Sequence, residues 1–324
     1  MILILTETKD QSTCRVIEWL LYFKAKFIVI TEDEFIEVVK ICPTSGNFVI
    51  KTESQVINSD DTTSVWYRRG GLKILSKKLN TSNTDYPEVI KLFQQYSNFE
   101  KTGTEHFLNF TFFEKNQINN QLRSSVNKLV VLNRAQKVGL NVPDSIMTTE
   151  KKELLAFFSK NKKIITKPAI ESLVIATKDF NFGAFTQVVT SKILSKYNDI
   201  IPLSFFQKYV QKLFEIRIFY IRGGFYSMAI FSQKNKKTRI DFRHYDDELP
   251  NRNVPFKLPK EIEKKIDKLM HLLSINSASI DMLYGVDKVF YFLEINPIGQ
   301  FGMTSFPCNY YLEKRIAEML QNNK

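Results

Sequence analysis

The stretch "SIDMLYGVDKVFYFLEINPIGQFG", residues 279–302, sets two carboxylates and an amide, Asp281, Glu294 and Asn296, in a segment that otherwise reads as hydrophobic core. "IDMLY" and "VFYFLEI" have the β-branched and aromatic content of strands, and "GVDK" between them is a turn. Folded across that turn, Asp281 comes opposite Glu294. Glu294 and Asn296, two residues apart, point to the same side of their strand. Carboxylates that go inside need a partner, because an isolated buried charge is costly. Residues 289–295 contain no Lys or Arg, and only Lys288 sits in the turn. Two readings stay open: a hairpin with its polar face in water, or a site for a cation from outside the chain. Three oxygen donors on one face suit Mg²⁺, which takes few protein carboxylates and completes its shell with phosphate and water oxygens.

The rest of the chain bounds what such a site belongs to. At 324 residues and 44% hydrophobic content it can build two or three domains with real cores. Cys14, Cys42 and Cys308 lie far apart with no zinc-like spacing, so a reducing cytoplasm is expected and a disulfide framework is not. "MILILTETKDQSTCR" has no apolar run long enough for a signal peptide, and no stretch approaches the roughly 20 apolar residues of a membrane span. Lys and Arg outnumber Asp and Glu by 46 to 34, a net charge of +12. The lysines are scattered, as in "KAK", "KNKKTR" and "EIEKKIDK", which fits solvated faces or an acidic or phosphate-bearing substrate. No zinc knuckle, basic heptad helix or RNP-like aromatic motif appears, so no nucleic-acid partner is expected.

"MILILT", the helical spacing of Val16, Ile17, Leu20 and Leu21, and "FIVIT" make a β-α-β opening. "FIEVVKI", "NFVIKTE" and "SVWYRRGG" read as further strands, and residues 86–120 as helical. Residues 1–120 are taken as one α/β domain without a phosphate loop. "NKLVVLNRAQKVGLNVPDSI" gives a helix that stops at Gly139. "EKKELLAFFSKN" is a second helix, "KKIITKPA" a strand, and "SLVIATKDF" and "FTQVVTSKI" further extended chain, a small unit over 121–203. The remainder, 204–324, opens with β-rich alternation around a Gly-Gly turn and ends in helix "KEIEKKIDKLMHLLSI", the acidic hairpin and a last helix.

Ahead of the hairpin lie further charged residues in order. Lys128 opens a helix and Lys167 ends the apolar strand of "IITKPA". "QKYV" (Gln207, Lys208, Tyr209, Val210) precedes "FEIRIFYI", where Glu215 and Arg217 share a strand face. Asp241 and Arg243 in "DFR" repeat that spacing. Singly, each reads as an ordinary surface charge. Taken in order and ending in D…ExN, they resemble the ATP-grasp ligases over Lys128 to Asn296.

The resemblance implies an ATP-grasp fold, an α/β (α+β) architecture whose N-terminal domain is the pre-ATP-grasp domain, with ATP and Mg²⁺ as cofactors. It places Lys128 and Lys167 on the phosphates, the Gln207–Val210 backbone on adenine, Glu215 on the ribose, and Asp281, Glu294 and Asn296 on the metal. "KPAIESLVIATKDFNFG" carries only Gly183 where many relatives have a Gly-rich lid, so the lid is short or built from other residues. More narrowly, "SVWYRRGG", "FEIRIFYIRGGFYSMAIFSQ", "DFRHYD" and "FLEINPIGQFG" resemble the graspetide synthetases of the grasp-with-spasm type. That implies a ribosomally made precursor peptide as partner, with a leader and a Thr/Ser- and Glu/Asp-containing core. Arg217 and Arg243 would hold the substrate carboxylate or the oxyanion, and Asp241 would orient an arginine or accept the nucleophile's proton. Arg68 and Arg69 would contact an acidic core peptide, or else are solvated arginines at a strand end. The rivals are a ligase adding free amino acids to an acceptor, and a scaffold that binds peptide or nucleotide without catalysis. Oligomeric state stays open, a homodimer included.

Overall fold

The computed structural model describes residues 1–75, 87–169, 174–177, 181–183, 186–233, 248 and 250–322. The chain divides into two compact units, one of residues 1–125, 300–305 and 311–324, the other of residues 126–299 and 306–310.

In the first unit, β1 (Ile2–Thr6) is buried at every position, as its unbroken apolar run requires of a strand covered on both faces. Helix α1 (Gln11–Tyr22) starts at Asp10, whose carboxylate accepts the Thr13 N–H at 2.9 Å. It leads to β2 (Phe27–Thr31), which pairs with β1 in parallel. Strands β3 (Glu37–Cys42), β4 (Asn47–Lys51) and β5 (Val56–Asn58) form a separate antiparallel meander. The chain then adds β6 (Ser64–Tyr67), helix α2 (Pro87–Thr111) and β7 (Asn116–Ile118). The parallel sheet has the order β2-β1-β6-β7, and the C-terminal helix Leu312–Gln321 returns to pack on α1.

Among the described residues the second unit holds two larger antiparallel sheets and one two-stranded hairpin. Helix α3 (Lys128–Lys137) is capped by Asn127 and ends where Gly139 takes a φ of +84°. Next come β8 (Ser145–Glu150), α4 (Lys151–Asn161), β9 (Ile164–Thr166), a hairpin of β10 (Val174–Ala176) with β11 (Asn181–Gly183), and β12 (Gln187–Val189). The extended reading of "FTQVVTSKI" stops there, because Thr190 caps a single helical turn, α5 (Ser191–Leu194). β13 (Ile200–Lys208) completes the smaller sheet, ordered β12-β9-β13-β8, whose core joins Leu154 and Phe157 of α4 to Ile164, Ile201 and Phe206.

The larger sheet follows directly. It comprises β14 (Lys212–Ile221), β15 (Gly224–Phe231), β16 (Arg252–Phe256), β17 (Ser277–Gly285) and β18 (Phe290–Asn296), with helix α6 (Lys260–Leu272) between β16 and β17, in the order β16-β15-β14-β17-β18. The β14–β15 turn sits on Arg222 and Gly223, both with positive φ, so Gly224 already belongs to the strand. Alternation sends Ile216, Ile218, Tyr220, Ile280, Met282 and Ile295 to one face, where they pack on Val131, Leu132 and Ala135 of α3 and Ile266, Leu269 and Met270 of α6. The other face therefore receives Glu215, Arg217, Asp281 and Glu294.

Candidate active site

That second face, with the smaller sheet, walls a cleft inside the second unit. From β9, β13 and the segment after it come Ile165, Lys167, Gln207, Lys208, Tyr209 and Val210; from the larger sheet come Glu215, Asp281, Leu283, Leu293 and Glu294. Eight of the residues singled out in the sequence thus meet in one place: Lys167, Gln207, Lys208, Tyr209, Val210, Glu215, Asp281 and Glu294.

The ladder explains how. Arg217, Asp281 and Glu294 stand in register on three neighbouring strands, Arg217 opposite Asp281 and Asp281 opposite Glu294. Arg217 donates from Nη1 to both Asp281 oxygens, at 2.7 and 2.8 Å. Glu294 Oε2 lies 3.2 Å from Lys128 Nζ and 4.0 Å from Lys167 Nζ. The cations that balance the hairpin's carboxylates thus include three of the chain's own, brought from α3, from the end of β9 and from β14. Charge-assisted contacts of this kind hold direction as well as energy when water is scarce.

Two bulges set the orientation. In an unbroken strand Phe292 and Glu294 would share a face, yet Phe292 is buried in the core and Glu294 lines the cleft. The register slips by one residue at Leu293, so Leu293 and Glu294 both reach the cleft. A second slip, at Leu213, does the same for Lys212, which ion-pairs with Glu215 beside Asp281. Lys212 is a site residue that the sequence reading missed. Its only local trace is the spacing K-L-F-E, which a regular strand would split between two faces.

The segment after β13 is tied down by its main chain. Lys208 N–H donates to the Asp144 carbonyl and Tyr209 N–H to the Lys163 carbonyl, with Lys163 Nζ 3.8 Å above the Tyr209 ring. Gln207 is buried and donates to Ser145 Oγ at 3.0 Å. Ile165, Leu283 and Leu293 give the same region apolar walls suited to a flat ring.

Asn296 ends β18 on the side of Glu294, opposite Ser279, and is exposed. Asp281, Glu294 and Asn296 are oxygen donors only, a set that fits a hard cation bringing other oxygens with it. Among the described residues no group of three His, Cys, Asp or Glu side chains could cage a metal unaided.

Arg68 and Arg69 belong to the first unit. Arg68 is 2% exposed, pairs with Asp10 at 3.2 Å and lies over the Phe301 ring. Both sequence readings of Arg68, peptide contact and solvated strand end, assume an accessible guanidinium, whereas the side chain is enclosed beside Asp10. Arg69 pairs with Glu7 at 3.1 Å and stays about one-third exposed. Asp241 and Arg243 lie outside the described residues. No helix of the described chain is long and apolar enough to cross a membrane.

No family model and no curated protein matches the sequence. Solved structures do. A RiPP-associated ATP-grasp ligase from Chryseobacterium gregarium, in complex with ADP and a leader and core peptide, superposes with a TM-score of 0.78 at 23% identity, covering 98% of this chain and 94% of that one. The macrocyclase MdnC from Microcystis aeruginosa MRC, bound with precursor peptide MdnA, gives 0.74 at 22% over 99% and 100%. The ATP-grasp ligase PsnB, complexed with a phosphomimetic variant of minimal precursor, Mg and ADP, gives 0.72 at 16% over 99% and 98%. The chain has the fold of the ATP-grasp ligases.

Proposed function

We propose that this protein is an ATP-dependent peptide macrocyclase, an ADP-forming ligase that joins Asp or Glu side chains of a ribosomal precursor peptide to Ser or Thr hydroxyls as ω-esters. What carries the reading is the charge ladder of the cleft, Lys128 and Lys167 on Glu294 and Arg217 on Asp281, at the mouth of an apolar wall. It is supported by a likeness along nearly the whole chain to ligases bound with precursor peptides.

In this reading the adenine lies against Ile165, Leu283 and Leu293 and is read by the main chain of Gln207–Val210. Glu215, oriented by Lys212, takes the ribose hydroxyls. Lys128 and Lys167 leave Glu294 for the phosphates, which offer more negative charge. Asp281, Glu294 and Asn296 would hold Mg²⁺, whose chemistry there is to neutralise phosphate oxygens and orient them for in-line transfer. The γ-phosphoryl group passes to the substrate carboxylate, giving an acyl phosphate and ADP. The peptide hydroxyl then attacks the acyl carbon, its proton goes to a base for which Asp241 is the candidate, and inorganic phosphate leaves. Arg217, with Arg243, is assigned to the carboxylate and the oxyanion that forms on it.

Incubation with a Thr- and Glu-rich precursor peptide, ATP and Mg²⁺ tests this by mass. Each ring should remove one water, and hydroxide should reopen the ester and restore the starting mass. A mass gain from a free amino acid would mean ligation to an acceptor, and an unchanged peptide with ATP bound would mean a scaffold. Lys167→Ala should weaken ATP binding about ten- to a hundredfold, the ~1.5–3 kcal/mol of one charge-assisted contact. Native affinity by calorimetry would place Lys167 outside the phosphate site.

A further inference from the structure

The side chain of Gln207 is held in one orientation that the reaction steps leave unused. It is 1% exposed and lines the cleft, on β13 opposite Ile165. A side-chain amide shows its neighbours either an oxygen or an NH₂ group, and the hydrogen-bond network decides which. Here the network leaves one answer. Ser145 opens β8 opposite Gln207, and a serine has a single hydroxyl proton. The Pro143 carbonyl, which only accepts, takes that proton at 2.8 Å. Ser145 Oγ is left as an acceptor and receives Gln207 Nε2 at 3.0 Å. Gln207 Oε1 is turned the other way, and among the described residues no donor reaches it.

The main chain of the same segment has fewer donors to give than its length suggests. Lys208 spends its N–H on Asp144 and Tyr209 spends its own on Lys163. A flat ring lodged against this wall therefore depends on what the Gln207 side chain presents. We propose that Ser145 is a positioning residue for base choice. By holding Gln207 Oε1 toward the base, it makes the cleft select an exocyclic amino group, as on adenine, over a ring carbonyl at that place, as on guanine or hypoxanthine. The assignment rests on the nucleotide reading of the cleft. An amino group donates to Oε1, whereas a carbonyl sets two acceptors against each other with no proton between them. Sites that pair a polar group reject a ligand by what it leaves unpaired. A glutamine that nothing held would turn its amide over and meet the carbonyl with Nε2. The serine thus carries the choice without touching the ligand.

Calorimetry of the full chain with Mg²⁺ and ATP, GTP, ITP or purine riboside triphosphate tests it. ITP lacks the second amino group of guanine, so it isolates position 6 of the ring. The wild type should bind ATP roughly a hundredfold more tightly than GTP or ITP, with purine riboside triphosphate, which has only hydrogen there, in between. Ser145→Ala should bring the ATP-to-ITP and ATP-to-GTP ratios within about tenfold, chiefly by strengthening the two weaker ligands. Ser145→Thr keeps the hydroxyl and should keep the wild-type ratios. Gln207→Met, similar in size and without the acceptor, should bring all four nucleotides close together, and it decides the matter if Ser145→Ala does not fold. Equal weakening of all four by Ser145→Ala would make the serine merely structural and overturn the proposal. A wild type that binds ATP, GTP and ITP alike would overturn it too, and in both cases the ligase reading stands. A wild type that binds none of the four would overturn both.

Discussion

Removing one partner from the Arg68–Asp10 pair leaves the other charge enclosed, so Arg68→Met should cost about 3–5 kcal/mol in the first unit. Asp10→Leu should cost as much, plus about 1 kcal/mol for the cap it supplies to α1. The double variant should recover most of the loss, because a pair of apolar groups carries no desolvation penalty; urea denaturation of all four proteins measures the coupling. The same pair gives a pH dependence. Burial alone would raise the Asp10 carboxyl, but the Arg68 guanidinium and the Thr13 hydrogen bonds outweigh it and hold the group below its ordinary value. A carboxyl depressed in the fold adds stability above its unfolded pKa and loses it as pH falls through the folded one. Wild-type stability should therefore drop as pH falls below about 4, and Asp10→Leu should flatten that part of the profile. Parallel curves for the two proteins would show that other carboxylates carry the acid sensitivity.

At the scale of elements, the hairpin β17–β18 holds its polar residues through the turn that follows it. A Cβ added at Gly299 would lie 2.5 Å from Ser279 Cβ and 2.7 Å from its Oγ, and Ser279 stands opposite Asn296. Gly299→Ala should cost about 1–3 kcal/mol of overpacking and cut turnover more than nucleotide affinity, since the strain falls on Asn296. Ser279→Gly should relieve both in the double variant; equal, additive losses would mean that the two positions are not coupled. This hairpin was also the part most legible in the sequence. The facing of Asp281 and Glu294, the shared side of Glu294 and Asn296, and the helix stop at Gly139 are all local, set by a period of two or by a backbone angle. The bulges at Leu293 and Leu213 were not legible, because no residue type marks them and they appear only when the core claims Phe292. Nor were the partners of the charges: Lys128, Lys167 and Arg217 reach the hairpin from far along the chain, and Asp10 meets Arg68 across two strands. Periodicity is silent about contacts of such separation, so Lys212 passed unnoticed and Arg68 was read as a surface group.

For the molecule as a whole, the excess of 46 basic over 34 acidic residues acts at a distance that no single contact does. Scattered lysines raise the potential over the whole surface, which draws an acidic partner in before any specific contact forms. Such steering is screened over about 8 Å at physiological ionic strength and about 3 Å at 1 M, whereas the ion pairs enclosed in the cleft are screened far less. Salt should therefore separate the two substrates. If the acidic peptide is the partner proposed here, its kcat/KM should fall about tenfold from low to 0.5 M NaCl, within the range that steering adds to association. In the function proposed above, where Lys128, Lys167 and the Gln207–Val210 main chain bind the nucleotide, the KM for ATP should move much less. A precursor whose acidic residues outside the ring positions are changed to Asn and Gln should lose most of the salt dependence while still cyclising at high salt. Equal sensitivity of both substrates would assign the effect to the cleft itself, and a salt-independent peptide would mean that the basic surface serves solvation alone.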